Sequence, residues 1–327
     1  KRGLELLSGR RNTGIKALAE VAKMRTPKVD TGHVGFMLGP RLNAAGRMSS
    51  ADTALQLLLT QNPREAESLA KILEEENKAR QRSERETTQE ALRKVEQTVN
   101  FNRERILVVN GTGWHRGVIG IVASRLVEKY ERPAIVISVE EGLGRGSGRS
   151  IKGFHLFNAL SSCEGILEEF GGHAQAAGLT ITEKNIPLLR EKINAFAVEN
   201  LPSEELKRHV TVDMELKLEE LTGRFLEELE LLEPHGVGNP RPVFQSEGLE
   251  LRSKPRRLYG ETYEGVVTDG SRNYQAHLNE EQMLLCATSG ATTRFEAAYS
   301  VKTKQWNGMK TLILSVKEFR EKLPASF

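Results

Sequence analysis

The spacing of apolar positions changes character several times along the chain. Residues 1–60 read as short helices broken by glycine and proline, with one dense loop, GPRLNAAGR at 39–47. Residues 61–100 read as one long helix, with Asn62 as its N-cap and Pro63 in its first turn. Glu65 and Glu67 suit the positive end of its dipole. Apolar side chains line one face early (Ala66, Leu69, Leu73) and again late (Leu92, Val95, Val99), but 74–90 offers only Ala79. A helix that is polar all round at its centre predicts a solvent-exposed strut between two packed bodies. The missing a/d seam argues against a coiled-coil arm.

Beyond the strut the period shifts. RILVV (105–109) and PAIVISV (133–139) are continuous β-branched runs, as expected of strands buried on both faces, and GVIGIVASRLVEKY (117–130) between them has helical spacing. Strand–helix–strand predicts a parallel βαβ unit in a small α/β domain over 101–203, closed by a helix at about 186–199. LPSEELKR (201–208) reads as a linker. The remainder, 207–322, opens with a strand-like HVTVDMEL, an amphipathic helix at 218–232 and the loop EPHGVGNPRPVF (233–244). Short alternating segments follow, the clearest a hairpin over 295–319 turning at Asn307-Gly308, a type I′ signal. Such strands predict a small barrel of the OB type. The expected class is α/β: a helical segment with a long connecting helix, a small α/β domain and a C-terminal OB-fold β-barrel.

Composition adds bounds. The 327 residues are 38% hydrophobic and 28% charged, ordinary for a soluble protein, and suffice for two or three domains. No apolar run is long enough to span a membrane and no signal-peptide pattern opens the chain, so a cytoplasmic protein is expected. The chain begins at Lys1 without a methionine and runs at once into KRGLELL, as the middle of a longer protein would. Cys163 and Cys286 lie far apart in no metal-ligand spacing and read as reduced thiols. The net charge of +3 says little until its clustering is considered.

The chemistry concentrates in glycine- and arginine-bearing stretches. GRGSGRSIKG (144–153) combines four glycines with two serines, two arginines and a lysine. It lacks the Gly-Lys-Ser/Thr of a Walker loop, fits GxGxxG in no register, and flanks Ser147 with Arg145 and Arg149 where a nucleophile elbow needs glycines. What remains is an anion nest: small residues such as Gly148 expose backbone N–H groups, with Ser147 and Arg149 as side-chain donors. A solvated loop is the competing reading. GPRLNAAGR sets Arg41 and Arg47 around Asn43, which suits phosphate capture or a plain connecting turn. FGGHAQAAGL (170–179) places Gly171, Gly172 and His173 before an expected helix start, where amides would meet a phosphate; a structural histidine is the alternative. Trp114 and His115 stand just before a helix, with Trp114 open to base stacking or to core packing. Against a two-metal centre, the aspartates are only Asp30, Asp52, Asp213 and Asp269, scattered singly, and the seven histidines form no HxH or HExxH.

Taken in order, GPRLNAAGR, WHRGVIGIVASR, GSGRS with IKGFHL, and FGGHAQAAGL resemble the RecJ-type single-strand-specific 5′→3′ exonucleases of the DHH phosphoesterase superfamily. LEPHGVGNPRPVF and the WNG hairpin resemble that family's OB-fold domain, and KRGLELL resembles the segment after its catalytic DHH domain. The resemblance covers nearly the whole chain. It implies that 101–203 is the DHH-associated substrate-binding domain. The family's Asp and Asp-His-His motifs would lie before Lys1, so Mn²⁺ or Mg²⁺ would serve the full-length enzyme while these residues bind none and are inactive alone. Arg41, Asn43 and Arg47 would face phosphates; Ser147, Gly148 and Arg149 would form a 5′-phosphate pocket beside Trp114 and His115. Gly171, Gly172 and His173 would lie near the scissile group, His173 in an assisting role. The resemblance further implies single-stranded DNA as partner, work in DNA repair and recombination, a monomer, and a single-strand-binding protein or helicase as associates. One departure is GETYEGVVTDGSRNYQAHL (260–278), where the family carries a lysine-bearing strand; RSKPRR (252–257) is the compensating basic cluster. Two rival readings are a phosphodiesterase for short oligonucleotides or cyclic dinucleotides, and a non-catalytic single-strand-binding module.

Overall fold

The structure, a computed structural model, describes residues 1–207, 209–288, 293–306 and 309–321. The chain divides into two compact units, 2–208 and 209–327. In the first, α1 (Arg2–Ser8), α2 (Thr13–Val21), a π-helical segment (His33–Leu38), α3 (Gly39–Met48) and α4 (Asp52–Leu59) gather round the N-terminal half of α5 (Pro63–Thr98). Leu18, Leu57 and Leu73 are fully buried there, with Ala66 and Ala70 letting the helices approach. Asn62 caps α5 as expected, its Oδ1 accepting the Arg64 and Glu65 amides at 3.0 and 3.5 Å. At about 1.5 Å per residue α5 is about 54 Å long, enough to serve a second core through Ala91 and Val95.

Between those cores the strut is not exposed all round. Asn77, Arg80 and Thr87 are only 2%, 9% and 4% exposed, because α3 and α6 (Arg116–Tyr130) pack across this stretch. Leu73, Asn77, Arg80, Glu84, Thr87, Ala91 and Val95 form one continuous stripe whose middle is polar. Arg80 ties three of the polar members together, donating to Asn77 Oδ1 at 3.0 Å and to Glu84 Oε2 at 2.5 Å, while its buried Nε has no partner. GPRLNAAGR is likewise a helix, α3, not a loop. Pro40 sits in its first turn, where a missing N–H costs nothing, and Ala44 and Ala45 are buried.

The sheet of this unit comprises β1 (Leu107–Thr112), β2 (Ala134–Glu140), β3 (Leu143–Arg149), β4 (Glu169–Gly172) and β5 (Ala176–Thr182), in the order β1-β2-β3-β5-β4. β1 and β2 are parallel across α6, as the βαβ reading requires, and the other pairs are antiparallel. α7 (Leu156–Ser161) and α8 (Ile186–Asn200) cover one face, while α6 and the end of α5 cover β1 and β2 on the other. GRGSGR is therefore a central strand rather than a loop. It pairs with β2 on one side and β5 on the other, so its amides belong to the ladder and form no nest. Its glycines are packing residues: a Cβ at Gly144, Gly146 or Gly148 would stand 2.7–2.8 Å from Ile137, Leu179 or Leu156.

The second unit holds β6 (Met214–Glu215), α9 (Gly223–Leu231), β7 (Phe244–Tyr259), β8 (Thr262–Thr268), β9 (Asn273–Leu278), α10 (Glu280–Thr288), β10 (Phe295–Trp306) and β11 (Met309–Glu321). β7 pairs with β8 and β10, β8 with β9, β9 parallel with β11, and β11 with β10, which closes a five-stranded barrel of OB type. The Asn307-Gly308 turn lies outside the described residues. The helix expected at 218–232 is split: a 3₁₀ turn at Leu218–Glu220 precedes α9, which restarts where Thr222 Oγ1 accepts the Phe225 amide. Tyr299 fills the barrel, hydrogen-bonded to Ser246 at 2.7 Å, and burial pushes its pKa up to about 12.

A paired substitution tests the helical packing. A Cβ on Gly14 would lie 1.8 Å from the Leu57 carbonyl oxygen, whereas Gly3 has open space. Gly14→Ala is expected to destabilise by about 1–3 kcal/mol or more, and Gly3→Ala to stabilise by up to about 1 kcal/mol. Urea unfolding measures both; equal effects would show the packing to be wrong.

Candidate phosphate-binding site

The site is built round the start of α6. His115 is the N-cap, its Nδ1 accepting the Gly117 amide at 3.0 Å, and the helix presents its positive end there. Gly117 lets the end of α3 approach: a Cβ would fall 2.1 Å from the Arg47 carbonyl oxygen, and Arg47 Nη1 donates to Gly117 O at 3.2 Å. One turn later a Cβ on Gly120 would stand 2.9 Å from Arg149 Nη2 and 3.0 Å from Ser147 Oγ. Two bare positions on one helix thus bring α3 and β3 together.

Arg149 is half-buried and donates to Ser147 Oγ at 3.2 Å and to Gly148 O at 2.8 Å. Burial lowers its pKa, and the positive charge of Arg47 lowers it further. Neither arginine is ion-paired with a carboxylate among the described residues. Two guanidinium groups set against the first turns of one helix, neither with a carboxylate partner among the described residues, offer donors to an anion, with the Ser147 hydroxyl as a further donor.

Beside them the sheet face is open. Ser147, Gly178 and Gly171 are neighbours across β3, β5 and β4, and no side chain covers the two glycines. The result is a cleft of about 640 Å³ edged by Arg116, Arg145 and Glu169. Sequence reasoning missed Gly178, Arg116 and Arg145. The signal was there: Arg145, Ser147 and Arg149 alternate with glycines at the period of a strand, which puts all three on one face.

FGGHAQAAGL is the β4–β5 hairpin and not a helix start. Gly171 lies on the cleft floor, and Gly172, at φ +143°, makes the turn where a Cβ would meet Ala176 O at 2.4 Å. His173 is exposed in the turn, its amide donating to Ala176 O at 2.8 Å; Ala176 pairs with Arg149, so the turn adjoins the arginine. Three other expected contacts fall away. Trp114 is 3% exposed, packed among Val122, Leu126 and Val95 with its Nε1 donating to Glu90 at 2.8 Å, and cannot stack on a base. Arg41 is held by Glu74 at 2.5 Å and by Met37 O at 2.7 Å, so it does not face a phosphate. Gly148 lies on the sheet's opposite face, against Leu156. Asn43 and Arg47 are exposed on α3, as phosphate contacts require.

Metal ligands are lacking among the described residues, where no three His, Cys, Asp or Glu side chains group to hold an ion. Each aspartate already holds a hydrogen bond: Asp30 binds His33 at 2.6 Å and Asp52 Ser50 within their own turns, while Asp213 accepts the distant Val243 amide and Asp269 the Ser271 and the distant Leu218 amides. This donor set does not fit a two-metal centre.

The family described as DHHA1 domain matches residues 103–199, and that described as RecJ OB domain matches 212–318. The chain is 40% identical over 242 residues to the single-stranded-DNA-specific exonuclease RecJ of Bacillus subtilis, covering 73% of this chain and 30% of that one. To the Escherichia coli protein of the same name it is 36% identical over 272 residues, covering 80% and 46%. A crystal structure of RecJ in complex with Mn²⁺ from Thermus thermophilus superposes with a TM-score of 0.82 at 29% identity, over 98% of this chain and 46% of that one. The chain belongs to the RecJ family. Its α/β architecture with DHHA1 and OB domains is that of the family, and it spans a third to a half of the length of these relatives. No helix among the described residues is long and apolar enough to cross a membrane.

The burial of Trp114 is testable. Trp114→Phe is expected to destabilise by about 1–3 kcal/mol through the lost Glu90 hydrogen bond and to leave oligonucleotide affinity unchanged. Lost affinity at unchanged stability would restore the stacking role.

Proposed function

We propose that this chain is the strand-holding part of a metal-dependent 5′→3′ exonuclease acting on single-stranded DNA. The observation that carries the reading is the unpaired Arg47–Arg149 couple beside Ser147, at the start of a helix and the edge of a glycine-floored cleft. A terminal phosphate, with its two charges, neutralises both guanidinium groups and accepts from the Ser147 hydroxyl, which fixes the 5′ end of a strand. The glycine floor lets the backbone of the first nucleotide lie close to the sheet. His173, on the turn next to Arg149, stands where it would hydrogen-bond the phosphodiester to be cut. The Thermus RecJ structures contain Mn²⁺ or Mg²⁺. Such ions activate water for attack on phosphorus; we place them outside the region this chain spans, because its four aspartates are scattered singly and each already holds a hydrogen bond. DNA repair and recombination in the cytoplasm, by a monomer, with a single-strand-binding protein or helicase as associates, complete the reading.

Fluorescence anisotropy with 5′-phosphorylated and 5′-hydroxyl oligonucleotides tests it. The parent is expected to prefer the phosphate by about tenfold or more, as charge-assisted hydrogen bonds require. Arg149→Ala should erase that preference; if the mutant keeps it, the pocket assignment fails. Gly120→Ala offers a milder version. Its new methyl meets only the flexible end of Arg149 and the Ser147 hydroxyl, so the phosphate preference should fall several-fold while the melting temperature holds. With Mn²⁺ added, the chain alone is expected to leave the oligonucleotide uncut. Robust digestion would show that a metal site lies within it.

A further inference from the structure

The stretch that leads to the second unit, 201–207, reads as a linker in the sequence but does not run free. Leu201 is fully buried, and Leu206 packs on the core beneath α7 and α8. A 3₁₀ turn at Ser203–Leu206 follows Leu201, and Arg105 ties it down. Its guanidinium donates to Val198 O at 2.9 Å, to Leu201 O and to Ser203 Oγ at 3.3 Å. The turn lays Glu205 along Gly153, with Oε2 3.2 Å from the point that a Cβ there would occupy.

The loop on which Glu205 lies borders the phosphate site. It follows Arg149 directly and closes on itself at once, Ser150 Oγ donating to Phe154 O at 2.8 Å. The His173 turn braces it: Ser150 N donates to Gln175 O at 2.9 Å, and Gln175 Nε2 to Ile151 O at 3.3 Å. At the tip Gly153 takes a left-handed conformation, φ +88°. Lys152 beside it is exposed and forms no ion pair among the described residues.

Anchoring alone does not call for a carboxylate here. Leu201, Leu206 and Arg105 already hold the connector, and Glu104, a structural carboxylate of the same region, has a cation partner in Arg190. Glu205 has no ion pair among the described residues, so its charge faces whatever approaches the loop. A carboxylate repels phosphate, and at ordinary ionic strength the effect reaches about 8–10 Å. We propose that the 201–207 connector is an autoinhibitory strap: Glu205, laid on Gly153, keeps strand phosphates off Lys152 until it lifts from the loop. Lifting breaks no hydrogen bond of the Glu205 side chain among the described residues, and it frees a cation one short loop away from Arg149. The proposal rests on the strand-holding reading above and adds regulation to it.

Fluorescence anisotropy of the whole chain with a 5′-phosphorylated twelve-residue oligothymidylate tests the strap through a double-mutant cycle. Glu205→Gln is expected to bind about two- to fivefold tighter than the parent at low salt, the size of one exposed charge contact. The gain should shrink as salt rises. Lys152→Met alone should bind nearly as the parent does, since the strap already masks that lysine, and Glu205→Gln added to it should bring no gain. Glu183→Gln removes an equal charge at the far end of β3, beside Gly142, and should leave binding unchanged. All three residues are exposed, so melting temperatures should hold. The proposal is overturned if Glu205→Gln binds as the parent does, or if its gain is matched by Glu183→Gln or survives in the Lys152→Met background. If the parent binds no oligonucleotide, the strand-holding reading itself fails and the strap with it.

Discussion

The convergence of α3, α6 and β3 on two bare positions of one helix underlies the rest of the first unit. Any side chain at Gly117 would push the α3 terminus, and Arg47 with it, away from the helix start. Any side chain at Gly120 would occupy the volume of the Arg149 guanidinium. The two glycines differ in kind, because the first abuts backbone and the second abuts the end of a flexible side chain. Gly117 therefore maintains the fold, whereas Gly120 maintains the position of a charge. Both end in the same result, two guanidinium groups set against the first turns of one helix. Folding alone does not favour that arrangement, since like charges repel and burial disfavours the charged form of Arg149.

Three other buried or half-buried arginines of this unit are neutralised, while Arg10, Arg105 and Arg132 donate to backbone carbonyls with no ion pair among the described residues. Arg41 has Glu74, Arg80 has Glu84, and Arg190 has Glu104. These pairs share a geometry in which a carboxylate accepts from the guanidinium and remaining donors reach backbone carbonyls or amides. Arg149 has only a serine hydroxyl and a carbonyl oxygen to accept from it. Lack of a carboxylate is shared with Arg10, Arg105 and Arg132; what sets Arg149 apart is its bond to Ser147, which lines the glycine-floored cleft.

Much of the architecture is legible from periodicity. The βαβ unit, the helix closing it, the Asn62 cap and the barrel all follow from apolar spacing and turn chemistry. The errors share one cause, which is that glycine in a sequence reads first as a mark of loops. In GRGSGR each glycine is a place where a core-facing side chain of a neighbour needs room, and strand pairing consumes the amides on both sides. In FGGHAQAAGL the glycines make a cleft floor and a tight turn. Trp114 and Arg41 are illegible for another reason. Their partners, Glu90 and Glu74, lie 24 and 33 residues away along the chain, beyond the reach of local pattern. The long helix misleads because apolar spacing alone is silent about its central stripe, which is polar and still buried.

That polar stripe has a consequence for the site. A wholly apolar seam along α5 would tolerate sliding of α3 and α6, since one methyl contact replaces another at little cost. The Asn77–Arg80–Glu84 chain lies wholly on α5 and adds one directed tie to α6, the 3.5 Å pair of Glu84 with the exposed Arg125. A buried ion pair contributes little net stability, but it penalises misregistered packing heavily. The end of α3 rests on α6 at Gly117 and packs beside the same stretch of α5, so the place of Arg47 over the start of α6 follows from both contacts.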